Sequence, residues 1–110
     1  MSELIFISSP YTHEDKSVVE DRLIKVSNFA AKIVSEGKVV ISPIVYGHTL
    51  LTFHKMPSDW EFWQNYCETL ITKSDKMIVL MLDGWEESDG VKGEIEFATE
   101  LGLPIEYIEL

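Results

Sequence analysis

The residues best suited to chemistry lie in 83-DGWEESDGVKGEIEFATELG-102, directly after the most apolar run of the chain. Val91, Glu94, Ala98 and Leu101 recur at spacings of three and four, so they share one helical face. Lys92, Glu96 and Glu100 fall off that face. Glu94 is therefore a carboxylate on the stripe that should turn toward the core. In the first turns of a helix such a group is partly desolvated, yet favoured by the helix N-terminus. That environment suits a nucleophile or a general base. The structural alternative is a carboxylate at the rim of the stripe that reaches water.

Ser88, Asp89 and Gly90 stand immediately before this helix. Ser or Asp followed by Gly is ordinary N-capping chemistry, and the same geometry offers N–H groups and a hydroxyl to an anion. Asp83, Ser88 and Gly90 are candidate substrate contacts. No GxxxxGK[ST] loop and no GxGxxG fingerprint follows any strand. The SSPYT segment supplies Ser8, Ser9 and Tyr11, although a turn also needs Ser and Pro. Tyr46 and His48 follow the next apolar run. His48 is a candidate ligand or acid–base group, or else a hydrogen-bonded loop residue. His13, His48 and His54 lack metal-ligand spacing, so no metal and no cofactor is expected. Trp60, Phe62 and Trp63 suit a core or a lid, and Trp60 or Trp63 could stack on a planar base. Cys67, on the same helical stripe, packs as a small apolar residue or contacts that base.

The elements that must position these residues alternate. LIFIS (4–8) reads as a buried strand ending at Ser-Ser-Pro. Ser17 and Glu20 form an S-x-x-E capping box before a helix with Val19, Leu23, Val26, Ala30 and Ile33 on one face, stopped near Gly37. KVVIS (38–42) is a second strand, halted by Pro43. Residues 44–57 read as irregular, with one short helical stretch. Ser58 and Glu61 repeat the capping box before a stripe of Trp60, Trp63, Cys67 and Leu70. KMIVLML (76–82) does not alternate and predicts a strand covered on both faces. A helix over 90–101 with Gly102 at its end and an edge strand over 103–110 complete the order. Strands alternating with helices predict an α/β fold, a doubly wound and mainly parallel sheet of about four to five strands in three layers. Ligands bind such sheets beyond the carboxyl ends of the strands, where the candidate residues concentrate.

The 110 residues form one domain, 1–110, with 45% hydrophobic residues, enough for a packed core. A net charge of −10 disfavours a nucleic-acid partner, but not a small anion held by backbone N–H groups. The single cysteine excludes a disulfide framework. No run approaches the ~20 apolar residues of a membrane span, and no leader pattern opens the chain. A cytoplasmic protein without a membrane partner is expected.

ISSPYTH, SPIVYGH, DWEFW and VLMLDGWEESDGVKGEIEFATELGLPI together resemble a DUF1937-type family, similar to the nucleoside 2-deoxyribosyltransferases and the deoxynucleoside 5′-monophosphate N-glycosidases. The resemblance covers nearly the whole chain. It implies a flavodoxin-like (Rossmann-like) sheet and cleavage, by hydrolysis or transfer, of the N-glycosidic bond of a deoxynucleoside or its 5′-monophosphate. The helix Glu that forms a glycosyl intermediate in the transferases matches Glu94. The position six residues earlier, which holds the sugar's 5′ side, is Ser88, where Ser favours a 5′-phosphorylated ligand. Two departures stand out. A first-strand Tyr that orients the Glu corresponds to Ile5, and a helix Asp that handles the leaving base corresponds to Cys67. Tyr11 is a candidate substitute for the phenol, and Asp75 and His48 are candidates for the acid. Relatives that share sites across subunits imply a homodimer or higher homo-oligomer. The competing readings are a non-catalytic nucleotide-binding module and an NAD-cleaving enzyme. A phosphorelay receiver is disfavoured, because the first strand ends in Ser-Ser rather than an acidic pair.

Overall fold

In the computed structural model, which describes residues 2–110, four strands and four helices follow the order β-α-β-α-α-β-α-β, one full helix more than the hydrophobic pattern predicts. Strand β1 (Leu4–Ser8) leads to helix α1 (Lys16–Ser35), strand β2 (Val39–Ile41) and helix α2 (Pro43–Phe53). Helix α3 (Trp60–Thr72) and strand β3 (Lys76–Leu80) follow. A 3-10 turn (Trp85–Glu87), helix α4 (Asp89–Glu100) and strand β4 (Ile105–Ile108) complete the chain. The sheet order is β2-β1-β3-β4, and every pair is parallel. This is the doubly wound, flavodoxin-like arrangement, with its switch in strand order between β1 and β3.

The period of two along β1 and β3 explains the three layers. Ile5, Ile7, Ile78 and Leu80 meet Val26, Phe29 and Ile33 of α1. On the other face Phe6, Met77 and Val79 meet Cys67 and Ile71 of α3 and Val91 and Ala98 of α4. Phe6, Ile7, Met77, Val79 and Leu80 are fully buried. Each such side chain stabilises the fold by roughly 1.5–3 kcal/mol relative to exposure. Strands buried on both faces carry no alternation, as KMIVL shows.

Helix starts depart from the sequence expectation by one or two residues. Asp15, not Ser17, caps α1, accepting from the Ser17 N–H at 2.9 Å. Asp59, not Ser58, caps α3, accepting from the Phe62 N–H at 3.2 Å. An ionised Asp accepts more strongly than a hydroxyl and also meets the helix dipole, so it takes the role where both are available. Leu101 is half exposed rather than inward, because α4 ends at Glu100. The largest revision is α2. Residues read as irregular form eleven residues of helix, opened by Ser42, whose hydroxyl accepts from the Val45 N–H at 3.2 Å, and by Pro43 at the first turn. Pro43 stops β2 and starts α2 in one step. No described helix is long and apolar enough to cross a membrane.

Arg22, on the inner face of α1, ties the ends of β1 and β3 together. It is 8% exposed. Its guanidinium donates to the carbonyls of Thr12 at 3.0 Å, Tyr11 at 3.4 Å and Asp83 at 2.9 Å. Gly84, with φ +85°, passes so close that a Cβ there would collide with the guanidinium. Neither ion pair among the described residues, Lys25–Asp21 or Lys76–Glu106, includes Arg22. Its charge is held by peptide dipoles alone.

Arg22→Met should therefore keep the packed stem and leave three part-buried carbonyls without their charged donor. A loss of about 2–3 kcal/mol is expected by urea unfolding, consistent with hydrogen bonds to a charged donor. Arg22→Lys should recover only part of it, since one ammonium cannot reach carbonyls on both loops.

Candidate functional site

Glu94 lies on the buried face of α4 with Val91 and Ala98, and it is 7% exposed. The carboxyl Oε1 accepts from the Ser8 hydroxyl at 2.6 Å, across the gap between α4 and the last residue of β1. The Cys67 thiol of α3 lies against the same carboxyl. No Lys or Arg lines the cleft into which Glu94 opens. Burial therefore dominates and pushes the Glu94 pKa up to about 7, with the Ser8 and Cys67 hydrogen bonds pulling the other way. Burial and the neighbouring Glu94 charge also drive the Cys67 thiol well above its usual range, so it stays protonated.

The cleft, with a volume of about 370 Å³, falls in the ~300–1,000 Å³ range of small-molecule sites. It opens over the carboxyl ends of the strands. One wall is a single face of α2, with Pro43, Ile44, Gly47, His48 and Leu51 at helical spacing. The opposite wall is the stripe Trp60, Trp63 and Cys67 of α3. Ser88, Asp89 and Gly90 bring in the start of α4, and Ser9, Tyr11 and Thr12 the loop after β1. The Trp60 ring lies against Gly90 and so close to Gly93 that a Cβ at position 93 would meet the indole. The Trp63 indole N–H is anchored on the Pro57 carbonyl at 2.8 Å. Both aromatic walls are thereby fixed before any ligand arrives.

Most sequence candidates converge here. Glu94, Ser9, Tyr11, His48, Trp60, Trp63, Cys67, Ser88 and Gly90 all line the cleft. The Ser9 hydroxyl is buried and has no protein partner. The Ser88 hydroxyl accepts from the Val91 N–H at 3.2 Å and so caps α4. Ser8, expected as a substrate contact, is fully buried and spends its hydroxyl on Glu94. Asp83 stands apart: its side chain is exposed and outside the cleft lining, and only its carbonyl is used, by Arg22. Asp75 is also misplaced as a substitute acid. It sits at the amino end of β3, where its carboxylate accepts from the Leu4 N–H at 2.7 Å. Among the described residues no three His, Cys, Asp or Glu side chains group as metal ligands.

Two further expectations change. Ile5 packs on the α1 side of the sheet, whereas Glu94 lies on the α4 side. In strand periodicity Phe6 and Ser8 are the β1 residues on the Glu94 face, so a side chain at position 5 cannot orient Glu94. Tyr11 does not replace the missing phenol at Glu94 either, because its hydroxyl is hydrogen-bonded to His48 Nδ1 at 2.8 Å. Sequence reasoning missed Arg22 and the α2 wall. Arg22 gave the same signal as Glu94, a charge on the apolar stripe of its helix. Leu51 gave none, since α2 carries apolar residues on every side.

The burial of Glu94 has a consequence for stability. Its pKa is near 4.5 when unfolded and about 7 when folded. Between these values the folded protein holds a proton that the unfolded chain has lost, so stability falls as pH rises through this window. Glu94→Gln keeps the acceptor for Ser8 and removes the titration. Relative to wild type it should gain on the order of 3 kcal/mol between about pH 4 and pH 8, measured by urea unfolding at each pH.

Comparison with curated proteins finds no match. A family model described as a domain of unknown function, DUF1937, matches residues 3–109. The match runs from β1 through β4 and takes in every residue that lines the cleft, and the chain belongs to the DUF1937 family.

Proposed function

We propose that this domain cleaves the N-glycosidic bond of a 2′-deoxynucleoside, with Glu94 as nucleophile. The Glu94 carboxylate attacks C1′ of the sugar, and the C1′–N bond breaks with its electron pair passing to the base. Water then displaces Glu94 from C1′, giving the free sugar and the ionised carboxylate; a second base in place of water gives transfer. The observation that carries this reading is a buried carboxyl, opening into a cleft, that no cation neutralises. Its charge is free to stabilise the oxocarbenium-like carbon of the transition state. Similarity of the motifs to the deoxyribosyltransferases and monophosphate glycosidases points the same way, through the match at Glu94.

The rest of the cleft suits the two halves of such a substrate. Trp60 and Trp63 offer rigid apolar faces for a planar base. Ser9, Thr12 and Ser58 offer hydroxyls to the sugar. The charge of the lining weighs against the 5′-phosphate that Ser88 alone favours. Asp59, Glu87 and Asp89 border the cleft without a Lys or Arg to offset them, in a chain of net charge −10. A dianionic phosphate placed there meets like charge on several sides. The uncharged 5′-hydroxyl of a nucleoside can donate to a carboxylate instead.

The test is chromatographic detection of free base from a panel of deoxynucleosides, their 5′-monophosphates and NAD. Base should appear from at least one deoxynucleoside, more slowly from its monophosphate, and not at all with Glu94→Ala. Saturable binding with no base released from any compound would instead identify a binding module, and release from NAD alone an NAD-cleaving enzyme. Because attack needs the ionised carboxyl, kcat/KM should rise with pH through about 7. Ser8→Ala removes a hydrogen bond that favours the ionised form, so the same rise should move to higher pH.

A further inference from the structure

A neutral base leaves a sugar far more readily when a proton arrives with the departing electron pair, an effect of about 10²–10⁴-fold for a positioned acid. The Glu94 side of the cleft holds no good donor. Cys67 stays protonated but is a very weak acid, and it lies against Glu94 itself. Asp59, Glu87 and Asp89 are exposed at the cleft, and Asp59 is committed to the start of α3. Asp75 is at the other end of the sheet.

The α2 wall is different. His48 lines the cleft there, reached from the face of the sheet opposite to α3 and α4. Its Nδ1 is 2.8 Å from the Tyr11 hydroxyl, and the two rings meet edge to face with centroids 6.0 Å apart. Burial raises the Tyr11 pKa, so the phenol keeps its own proton and its oxygen can accept from Nδ1–H. As an imidazolium the ring carries N–H on both nitrogens: Nδ1–H donates to the Tyr11 oxygen, and Nε2–H is the proton available for transfer. Arg22 holds the Tyr11 and Thr12 carbonyls and so fixes the loop that presents the phenol.

We propose that His48 is the acid that protonates the leaving base, and that Tyr11 is the positioning residue that orients its ring. The proposal rests on the glycosidase reading above and adds the second half of its chemistry. As the Glu94 oxygen bonds to C1′, the C1′–N pair moves onto the base and the Nε2 proton of the His48 imidazolium follows it, leaving the neutral imidazole. In the second step water attacks C1′, its proton returns to Nε2, and Glu94 leaves as the carboxylate. Proton and electron pair balance over the two steps with no further reactant. A cleft assembled from both sides of the sheet thus carries the nucleophile on one side and the acid on the other.

Leaving-group dependence tests this. An uncharged deoxynucleoside that wild type cleaves is compared with 7-methyl-2′-deoxyguanosine, whose base is already cationic and departs without a proton. His48→Gln should lose about 10²-fold or more in kcat/KM on the first and less than about tenfold on the second. Tyr11→Phe should show the same selectivity with a smaller loss. Near-UV circular dichroism and thermal melting check that each variant is folded. Equal losses on both substrates, or no loss on either, would overturn the acid role while leaving Glu94 in place. A wild-type protein that releases base from neither substrate would remove the glycosidase reading, and this one with it.

Discussion

The Ser8–Glu94 hydrogen bond closes the one junction on which the site depends. It joins the end of β1 to the buried face of α4, so the central strand and the helix after β3 cannot shift without breaking it. It is also the contact that makes burial of the carboxyl tolerable. An unpaired carboxyl in this environment would cost several kcal/mol. A single hydroxyl donor satisfies one oxygen and leaves the group close to balance between its two charge states near neutral pH. A lysine or arginine in Ser8's place would have held Glu94 ionised and offset the charge that the proposed reaction uses.

Glu94 and Arg22 are buried on opposite sides of the same sheet end, and neither uses the other. Arg22 keeps its charge by surrounding itself with carbonyls from the loops after β1 and β3. Glu94 gives up part of its charge because burial disfavours the ionised form, and a hydroxyl and a thiol offset that only in part. The difference follows from chemistry. A guanidinium does not lose its proton in a protein, so it must be solvated by dipoles, whereas a carboxyl can accept a proton as an alternative. One group consequently serves as a rigid brace for the loops and the other as a titratable centre. Both positions follow from the switch in strand order, which leaves the ends of β1 and β3 uncovered by any crossover.

The layers were legible because the strands obey a period of two and the helices a period of 3.6. LIFIS reads as β1 to the residue, and the Val91–Glu94–Ala98 stripe is the buried face of α4. The misplaced charge on that stripe led directly to the cleft. What escaped was information that periodicity does not carry. PIVYGHTLLTF has no polar face, includes a glycine and β-branched residues, and so shows neither helical amphipathicity nor strong propensity. Its only helix signal is the Ser42-Pro43 start, which also reads as a strand stop. Likewise the parity of β1 decides that Ile5 faces α1 and Ser8 faces Glu94, a distinction lost when positions are matched by motif alone. Asp83 looked functional by proximity to Ser88, yet the 3-10 turn between them carries its side chain out to solvent.

Cys67 brings these constraints together. A carboxylate at that position would stand against Glu94 inside a buried space. Two like charges there would raise the pKa of one of them further and leave less ionised nucleophile at neutral pH. A neutral thiol avoids that repulsion, fills the same small volume among Phe6, Met77 and Val91, and still offers a weak hydrogen bond. With a thiol there, α3 brings no acid to the cleft. Under the proposed chemistry the proton must then come from another group that faces the substrate. The α2 wall lines the same cleft, packs through Ile44 and Val45 on the α1 side of the sheet, and carries His48. The helix that the sequence concealed is thus the element that, under this chemistry, carries the acid.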